Sequence, residues 1–566
     1  MGFSGVDMSD WNPCRAGRSI AMALALSGSC ALAESMSRGG PVDIGVDPLL
    51  AGDRAAYVGG DGLYSITRDV AAPQPIGPRL ESTRIRVLSP GLHVDGGRST
   101  AVWIEKLPEG NRLLSSACGD GKACWETVES IAERIRSTLV RLEPVGDGLY
   151  AIDATPGRQP VLSLTRLSDS DVSRQSLPIP NLEELGEIST LSLDRTLHIF
   201  FNGRRMGREL IGTLAYDTLS GQVTSVETVV ETPFTPLMEA LVIAKRPALL
   251  FKVYEQGRFS LNLAVREGDD WHVSPVAGAD GLDVARLDRH VWPDGRLLVV
   301  FSGERRERTK QRVYAALSDD LGAHWRTRQL DSAEFANTRA WLPRLTVDGE
   351  RVAVVWEDSR DIRARIRMQL SGDRGEHWLA RDIPLSTQGA YAIRPRIDHV
   401  DGELSVAWHQ YRSDKRDRAD LILRTLSWDE AWAMAGPAEA TSAPADRTQE
   451  LETAVHAAWK AITDGDRAAV YRAYDPFYRA KVDFERYGSK AAPSAFQGYE
   501  IRDMLVQGNE AQVSILADIS PPGADERSDD SGASVRYLVR DTWLYVDGRW
   551  YRKFVDDFSG ASAIAY

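Results

Sequence analysis

Arginine recurs at one place in a repeated pattern, and a guanidinium there is suited to holding an anion. Arg289, Arg344 and Arg396 occupy matching positions in three consecutive units, and Arg394 lies two places before the last of them. Guanidinium groups bind carboxylate oxygens in a bidentate way, so the four side chains predict a basic patch for an anionic ligand. The alternative is that Pro-Arg is a general opening of each unit, with the guanidinium in a structural ion pair.

No carboxylate in these units is singled out as a general acid or base. Asp358 is a candidate, but it belongs to a pattern that recurs along the repeats. The sequence has no Walker loop, no Rossmann fingerprint after a strand, no H-E-x-x-H and no G-x-S-x-G. The nine histidines are scattered, so no metal site and no cofactor are predicted.

The elements that would position the arginines repeat about every fifty residues. Segments beginning at Pro343 and Pro395 nearly superimpose, each with an Asp-Gly turn and an apolar run that ends in tryptophan. Strand, Asp-Gly turn and strand together are a strong hairpin signal. Aromatic residues toward the ends of the second strands mark seven units, namely Trp103, Tyr150, Phe200, Phe251, Phe301, Trp356 and Trp408.

A four-stranded blade with its turns needs roughly 40–50 residues, so the repeat predicts a mainly β, seven-bladed β-propeller over residues 45–432. Six or eight blades stay open, because the early units are weakly marked. The segment from Tyr64 to Pro78 is similar to the second half of a blade. We expect it to complete the last blade, which shows three strands before Trp428, because closure hides sheet edges.

Two units continue into the motif S-x-D-x-G-x-x-W, one repeat apart. The aspartate can accept backbone N–H groups across a turn between the third and fourth strands, and the glycine permits a left-handed backbone. The tryptophan can pack between neighbouring blades. A degenerate copy runs from Cys118 through Asp120 to Trp125. The full copies contain Ser318, Asp320, Gly322 and Trp325, and Ser371, Asp373, Gly375 and Trp378.

This motif is the Asp-box, and through it the chain resembles the BNR/sialidase-like β-propeller superfamily. The resemblance implies that Asp320 and Asp373 are structural, since the boxes of that family lie away from the binding face. The family includes sialidases, other glycosidases, lectin-like binders and assembly factors, so the fold alone does not fix function. Sialidases hold a carboxylate with three arginines, but their Arg-Ile-Pro string is absent here. The string that comes nearest begins at Arg84.

A second domain follows the repeats. Residues 433–447 are rich in Ala, Pro, Ser and Thr and are predicted to be a linker. Residues 448–566 show helical periodicity and then strands, which predicts a small α+β cone. Its last hairpin, from Asp541, resembles nuclear-transport-factor-like (SnoaL-type) domains, a family of enzymes, ligand cups and dimerisation modules. Asp541 or Tyr551 could face into the cone; the alternative is a structural or dimerising cone.

The N-terminus has the features of an export signal. Arg15 and Arg18 precede an uncharged apolar run, and Ala31-Leu32-Ala33 fits a cleavage site. Residues 1–33 are therefore predicted to be a signal peptide, and the protein to be periplasmic or extracellular. The alternatives are a buried helix and a lipid anchor at Cys30. No stretch is long enough for a transmembrane helix.

After such cleavage only two cysteines remain, Cys118 and Cys124, six residues apart around a glycine-rich turn. In an oxidising compartment this pattern predicts a disulfide, and the alternative is two free thiols.

The formal net charge of −13 argues against nucleic-acid binding. Two functions remain open. The first is an exported scaffold that binds a glycan or a protein on the propeller face, with the cone for association, as in a dimer, or for a small ligand. The second is an exo-acting glycoside hydrolase of sialidase type.

Overall fold

The computed structural model describes residues 36–43, 46–59, 61–68, 73–76, 86–95, 97–119, 125, 128–167, 173–233, 237–305, 310–332, 338–435, 447–490, 496–519 and 535–554. The predicted signal peptide and most of the predicted linker lie outside these residues. In the part that is described, no helix is both long enough and apolar enough to cross a bilayer.

Antiparallel sheets of four or five strands follow one another along most of the chain. The first four sheets contain β2 (Leu49–Ala51), β3 (Arg54–Gly59), β4 (Gly62–Thr67) and β5 (Gln74–Pro75); β6 (Arg86–Asp95), β7 (Arg98–Lys106), β8 (Asn111–Cys118) and β9 (Glu129–Ile135); β10 (Leu139–Val145), β11 (Gly148–Thr155), β13 (Val161–Leu167) and β14 (Ser173–Ser176); and β12 (Gly157–Arg158), β15 (Leu182–Leu193), β16 (Thr196–Arg205), β17 (Arg208–Asp217) and β18 (Gln222–Glu231).

The next four sheets repeat this plan. They contain β19 (Met238–Ile243), β20 (Arg246–Glu255), β21 (Arg258–Glu267) and β22 (Asp270–Pro275); β23 (Leu282–Val291), β24 (Leu297–Arg305), β25 (Arg312–Ser318) and β26 (Arg326–Gln329); β27 (Ala340–Asp348), β28 (Arg351–Asp358), β29 (Arg365–Ser371) and β30 (Ile383–Pro384); and β31 (Tyr391–Val400), β32 (Glu403–Tyr411), β33 (Ala419–Ser427) and β1 (Met36–Pro41).

These sheets form a closed ring. Consecutive sheets touch through their first strands, and the eighth sheet touches the first in the same way. A separate buried apolar cluster fills each of the eight seams. The architecture is therefore a β-propeller, which confirms the predicted fold class, and its first strands surround a central channel.

The predicted count of seven blades is not confirmed, because the described residues form eight such sheets. The seven marker aromatics all lie in second strands, but another sheet precedes them along the chain. Its second strand carries Tyr57, 46 residues before Trp103. Its first and fourth strands have only three and two residues, so the hairpin pattern there is weak. The eight-bladed alternative matches this arrangement.

The N-terminal part of the chain closes the ring, but the strand predicted from the sequence to do so is the wrong one. Tyr64 to Pro78 does not join the last sheet, because β4 and β5 in that segment pair within the first sheet. Instead β1 pairs antiparallel with β33. The Arg38 Nε donates to the buried carboxylate of Asp420 at 2.7 Å. The amide of Gly40 donates to the Tyr57 hydroxyl at 2.6 Å.

The remaining elements are helices and one sheet. A capping box formed by Ser427 and Glu430 begins the short helix α1. The elements are α1 (Trp428–Ala433), α2 (Thr448–Thr463), α3 (Arg467–Ala473), α4 (Pro476–Lys481), α5 (Phe484–Lys490), β34 (Phe496–Gln507), β35 (Glu510–Ile519), β36 (Val535–Val546) and β37 (Arg549–Arg552). The apolar face of α2 packs on the sheet, so this C-terminal unit has the predicted α+β architecture.

The C-terminal unit is docked on the propeller, at the end of the ring where the first strands begin. Arg363, between β28 and β29, donates to Asp414 at 2.8 and 2.7 Å and to Asp547 of the β36–β37 turn at 2.8 and 3.0 Å. The Phe477 ring lies 5.5 Å from the same guanidinium. The Asn509 amide donates to the Arg360 carbonyl at 2.9 Å. One arginine thus links the seventh sheet, the eighth sheet and the C-terminal unit.

The closing strand has no room for a side chain at Gly39. A Cβ at Gly39 would lie 2.8 Å from Cε1 of Tyr57 on β3 and 3.1 Å from Cβ of Leu421 on β33, so Gly39→Ala should push β1 away from both strands. We expect its free energy of unfolding to fall by about 1–3 kcal/mol, as for other overpacked cores. Gly119→Ala is the control, because its Cβ would meet nothing within 4 Å. Equal urea midpoints for the two variants and wild type would contradict this view of closure.

Loss of Arg363 should loosen the C-terminal unit without unfolding the ring. Arg363→Ala leaves Asp414 and Asp547 facing each other without the cation that joins them. We expect faster proteolytic cleavage within residues 436–446 and an unchanged melting of the propeller. Arg208→Ala, which removes an exposed pair with Glu231, should leave the cleavage rate at the wild-type value. An Arg363→Ala protein cleaved no faster than wild type would refute the linking role.

Candidate functional site

Bulges in the first strands aim the channel arginines. The pairing registers of β27 and β31 shift just before Arg344 and Arg396. Leu342 and Arg394, each followed by proline, have φ angles of 55° and 58° in these bulges. A bulge bends its strand and redirects the side chains beside it, and a left-handed backbone at a non-glycine residue is costly. The bulged strands therefore place Arg344 and Arg396 at specific points of the channel wall.

One register position carries charge in four consecutive sheets. It pairs with the residue just before the marker aromatic, and it is occupied by Glu239, Asp288, Arg344 and Arg396 in the fifth to eighth sheets. Arg289 lies one residue beyond this position, because the turn after β23 is longer than the turn after β27. The sequence alignment of the three arginines is thus offset by one residue at Arg289.

The predicted arginines fall into two groups, and the first group is paired with Asp47. The Arg396 Nη2 donates to Asp47 Oδ2 at 2.8 Å, and Arg394 binds the other carboxylate oxygen. Arg396 also donates to the Pro48 carbonyl at 3.1 Å. Burial by itself raises the pKa of Asp47, but Arg396 and Arg394 outweigh burial and hold that pKa below its usual value. This pair of arginines joins the eighth sheet to the chain that enters the first.

The second group, Arg289 and Arg344, has no carboxylate at ion-pair distance within the described ranges. The Arg289 Nε donates to the Ala240 carbonyl at 3.0 Å. The Arg344 Nη1 donates to the Leu287 carbonyl at 3.3 Å, and its Nε is buried without a hydrogen-bond partner in the described part of the chain. The backbone of the preceding sheet orients each guanidinium but does not neutralise it.

Two channel residues were missed by the sequence analysis, Arg141 on β10 and Glu239 on β19. Glu239 interacts electrostatically with Arg289, Arg344 and Arg141, which belong to the sixth, seventh and third sheets. Burial raises the pKa of Glu239, and these guanidiniums offset only part of the rise. Glu239 precedes Phe251 by twelve residues, as Arg344 precedes Trp356. That spacing was a signal that could have found it.

A buried histidine lies at the seam between the eighth and first sheets. His409 on β32 is 1% exposed, and neither ring nitrogen has a hydrogen-bond partner in the described structure. Burial lowers the pKa of His409 to about 4; Arg394 adds to the effect and Asp47 opposes it. The imidazole is therefore neutral in the folded protein near pH 7.

Both Asp-boxes lie outside the channel, in turns between third and fourth strands. Asp320 Oδ1 accepts the His324 backbone N–H at 2.8 Å, and Ser318 Oγ accepts the Gly322 N–H at 2.9 Å. Gly322 has a φ of 92°. Trp325 packs on the apolar seam between the fifth and sixth sheets. The same bonds and the same kind of packing recur at Ser371, Asp373, Gly375, His377 and Trp378.

Other predicted positions give a mixed outcome. Cys118 ends β8 and is buried, but Cys124 and Asp120 lie outside the described residues, so the disulfide stays a prediction.

Asp541 faces into the C-terminal unit. It accepts the Trp459 indole N–H at 2.9 Å and the Arg552 Nη2 at 2.7 Å. Tyr551 instead packs at the interface with the propeller. The interior of the cone is thus occupied by a satisfied ion pair.

No model of a known protein family matches the chain, and no curated protein matches it. Similar solved structures include the polysaccharide lyase Uly1, at 9% identity over 62% of this chain and 92% of that one, with a TM-score of 0.41. The β-propeller domain of the Trilobed protease from Pyrococcus furiosus has 10% identity over 60% and 95%, with a TM-score of 0.37.

The NanB sialidase from Streptococcus pneumoniae is a further similar structure, at 11% identity over 61% of this chain and 69% of the sialidase, with a TM-score of 0.34. At identities and TM-scores this low, the similarities carry no inference about ligand or activity.

The neutral His409 should make the protein sensitive to acid. Its pKa is lower in the folded chain than the ordinary value of about 6.5 in the unfolded chain, so the unfolded chain takes up the proton first as the pH falls. Stability should therefore drop between about pH 6.5 and pH 4, by roughly 3 kcal/mol from this residue. His409→Gln should make that slope shallower in urea titrations, with the remainder coming from His198, whose pKa burial also lowers to about 4. The exposed His324→Gln should keep the full slope. An unchanged slope in His409→Gln would contradict the assignment.

Proposed function

We propose that the protein is an exported binding scaffold that takes a carboxylate-bearing glycan into its propeller channel. The observation that carries the proposal is the state of Arg289 and Arg344, which are oriented by backbone carbonyls yet lack a carboxylate partner in the described residues. Arg141 adds a third positive charge, since it interacts electrostatically with Glu239 as Arg289 and Arg344 do. An anionic group of a ligand would complete the bidentate contacts that these guanidiniums leave open.

Two further features support binding in the channel. The arginines are half-buried and held at one end, so a ligand need not immobilise freely rotating side chains. The protein as a whole carries a net charge of −13, and a local group of guanidiniums within it would attract an anion specifically to the channel. An acidic segment of a protein partner would offer the same chemistry, and the binding screen below distinguishes it from a glycan.

The alternative function is an exo-acting glycoside hydrolase of sialidase type. It is favoured by the raised pKa of Glu239 among guanidiniums, since a general acid must hold its proton near neutral pH. Glu357 and Tyr391 also interact electrostatically where β31 begins. Against it, Arg394 and Arg396, two of the arginines that would grip a substrate carboxylate, are already bound to Asp47.

Export and the role of the C-terminal unit belong to the same proposal. The apolar leader and its small-residue cleavage site support export to a periplasmic or extracellular location. The Asp541–Arg552 pair occupies the inside of the cone, which supports association over small-ligand binding for this unit. Its contact with the propeller of the same chain through Arg363 and Asp547 supports a role in association. A dimer through another face is a separate expectation, to be checked by light scattering.

Removal of a channel charge should weaken ligand binding without unfolding the protein. A glycan array with a parallel pull-down identifies the ligand, and calorimetry with that ligand compares variants. We expect Arg344→Gln and Arg289→Gln to bind about 10- to 100-fold more weakly, the cost of a charge-assisted hydrogen bond. Arg246→Gln, which alters an exposed pair with Glu267, should bind like wild type. Capture of acidic proteins with no glycan signal would replace the glycan by a protein partner.

Catalysis is tested with a fluorogenic sialoside and the purified protein. We expect no turnover from a scaffold. Turnover that is abolished by Arg344→Ala and by Arg396→Ala would instead establish the hydrolase.

A further inference from the structure

We infer that Glu239 is a specificity-determining residue of the channel, and that the channel takes its anionic ligand together with a proton on this carboxyl group. The inference rests on the proposed function. It adds the protonation state of Glu239 beside a sugar acid whose carboxylate stays ionised throughout, and it adds the pH dependence of binding.

The position of Glu239 makes it the natural competitor of an incoming anion. It lies on the first strand of the fifth sheet and is half-buried. The Arg289 Nε donates at 3.0 Å to the carbonyl of Ala240, the residue after Glu239. Asp288 and Arg344 hold the register position of Glu239 in the next two sheets. Arg141 from β10 also interacts electrostatically with Glu239. An ionised carboxylate at this place would neutralise the same guanidiniums that a ligand needs. A ligand carboxylate and an ionised Glu239 therefore exclude each other on electrostatic grounds.

The other channel carboxyl groups have partners that Glu239 lacks. Asp47 is held by Arg394 and Arg396. Glu143 accepts the Thr190 hydroxyl at 2.8 Å. Asp288 accepts backbone N–H groups at 2.9 and 3.1 Å. Within the described residues, no hydrogen bond fixes the carboxyl group of Glu239. Of these carboxyl groups, it is therefore the one whose protonation state is not set by a hydrogen-bond partner.

Protonation changes what Glu239 offers to a ligand. The neutral acid no longer competes for the guanidiniums, and its O–H becomes a hydrogen-bond donor to a carboxylate oxygen. Burial already favours the protonated form, since it raises the pKa of this group. The proton is taken from the solvent when the ligand enters and returns to the solvent when it leaves, and no covalent bond changes.

Calorimetry of the full chain with D-glucuronate between pH 5 and pH 8, in two buffers of different ionisation enthalpy, tests the inference. We expect the affinity of wild type to fall as the pH rises, by up to about tenfold per pH unit, with uptake of up to one proton per ligand. Glu239→Gln keeps a neutral side chain at the site, so it should bind D-glucuronate with an affinity that does not change with pH and without proton uptake. Glu304→Gln, on β24 outside the channel, is the matched control and should behave like wild type.

The outcomes separate the two proposals. Wild-type binding that does not change with pH, or equal proton uptake by Glu239→Gln, overturns the role of Glu239 and leaves the binding scaffold standing. Absence of D-glucuronate binding at every pH overturns the sugar-acid ligand and the role of Glu239 together. If the variant fails to fold, the absence of proton uptake by wild type still overturns the role of Glu239.

Discussion

A ring of sheets must close its last seam as completely as the seams that chain continuity already brings together. Each sheet buries both faces against its neighbours, so an open seam would expose two apolar faces and a free strand edge. Here the N-terminal part of the chain closes the seam at two distances from the channel axis. Arg38 meets Asp420 at the outer strand, and Asp47 meets Arg394 and Arg396 beside the channel. The apolar cluster between these two sets of ion pairs completes the contact.

This closure explains why similar arginines in neighbouring sheets have different partners. Asp47 reaches the channel only at the seam, so it neutralises the arginines of the eighth sheet and leaves Arg289 and Arg344 without an ion-pair partner among the described residues. At the register position of Arg344 and Arg396, the fifth and sixth sheets carry Glu239 and Asp288. The channel wall is thus asymmetric in charge although its sheets share one plan, and that asymmetry defines where an anion can bind.

The sequence predicted most of the architecture, because hairpins and Asp-boxes are local patterns. The seven marker aromatics all lie in second strands, as the repeat predicts. The first sheet was missed as a separate sheet because its outer strands are too short to show alternation. The split among the arginines was out of reach, because it depends on Asp47, some 350 residues away in the chain and adjacent only after closure.

The ion pair between Arg38 and Asp420 also has a consequence for folding during synthesis. Its two residues are separated by 382 positions in the chain, so almost the whole ring must be synthesised before they can meet. Contacts between such distant residues form late in folding, because loop closure has to come first. Until then the edge of β33 is open to strands of other molecules. That final step needs the two glycines of β1, because there is little room for larger side chains. Errors in assembly should therefore concentrate at this edge.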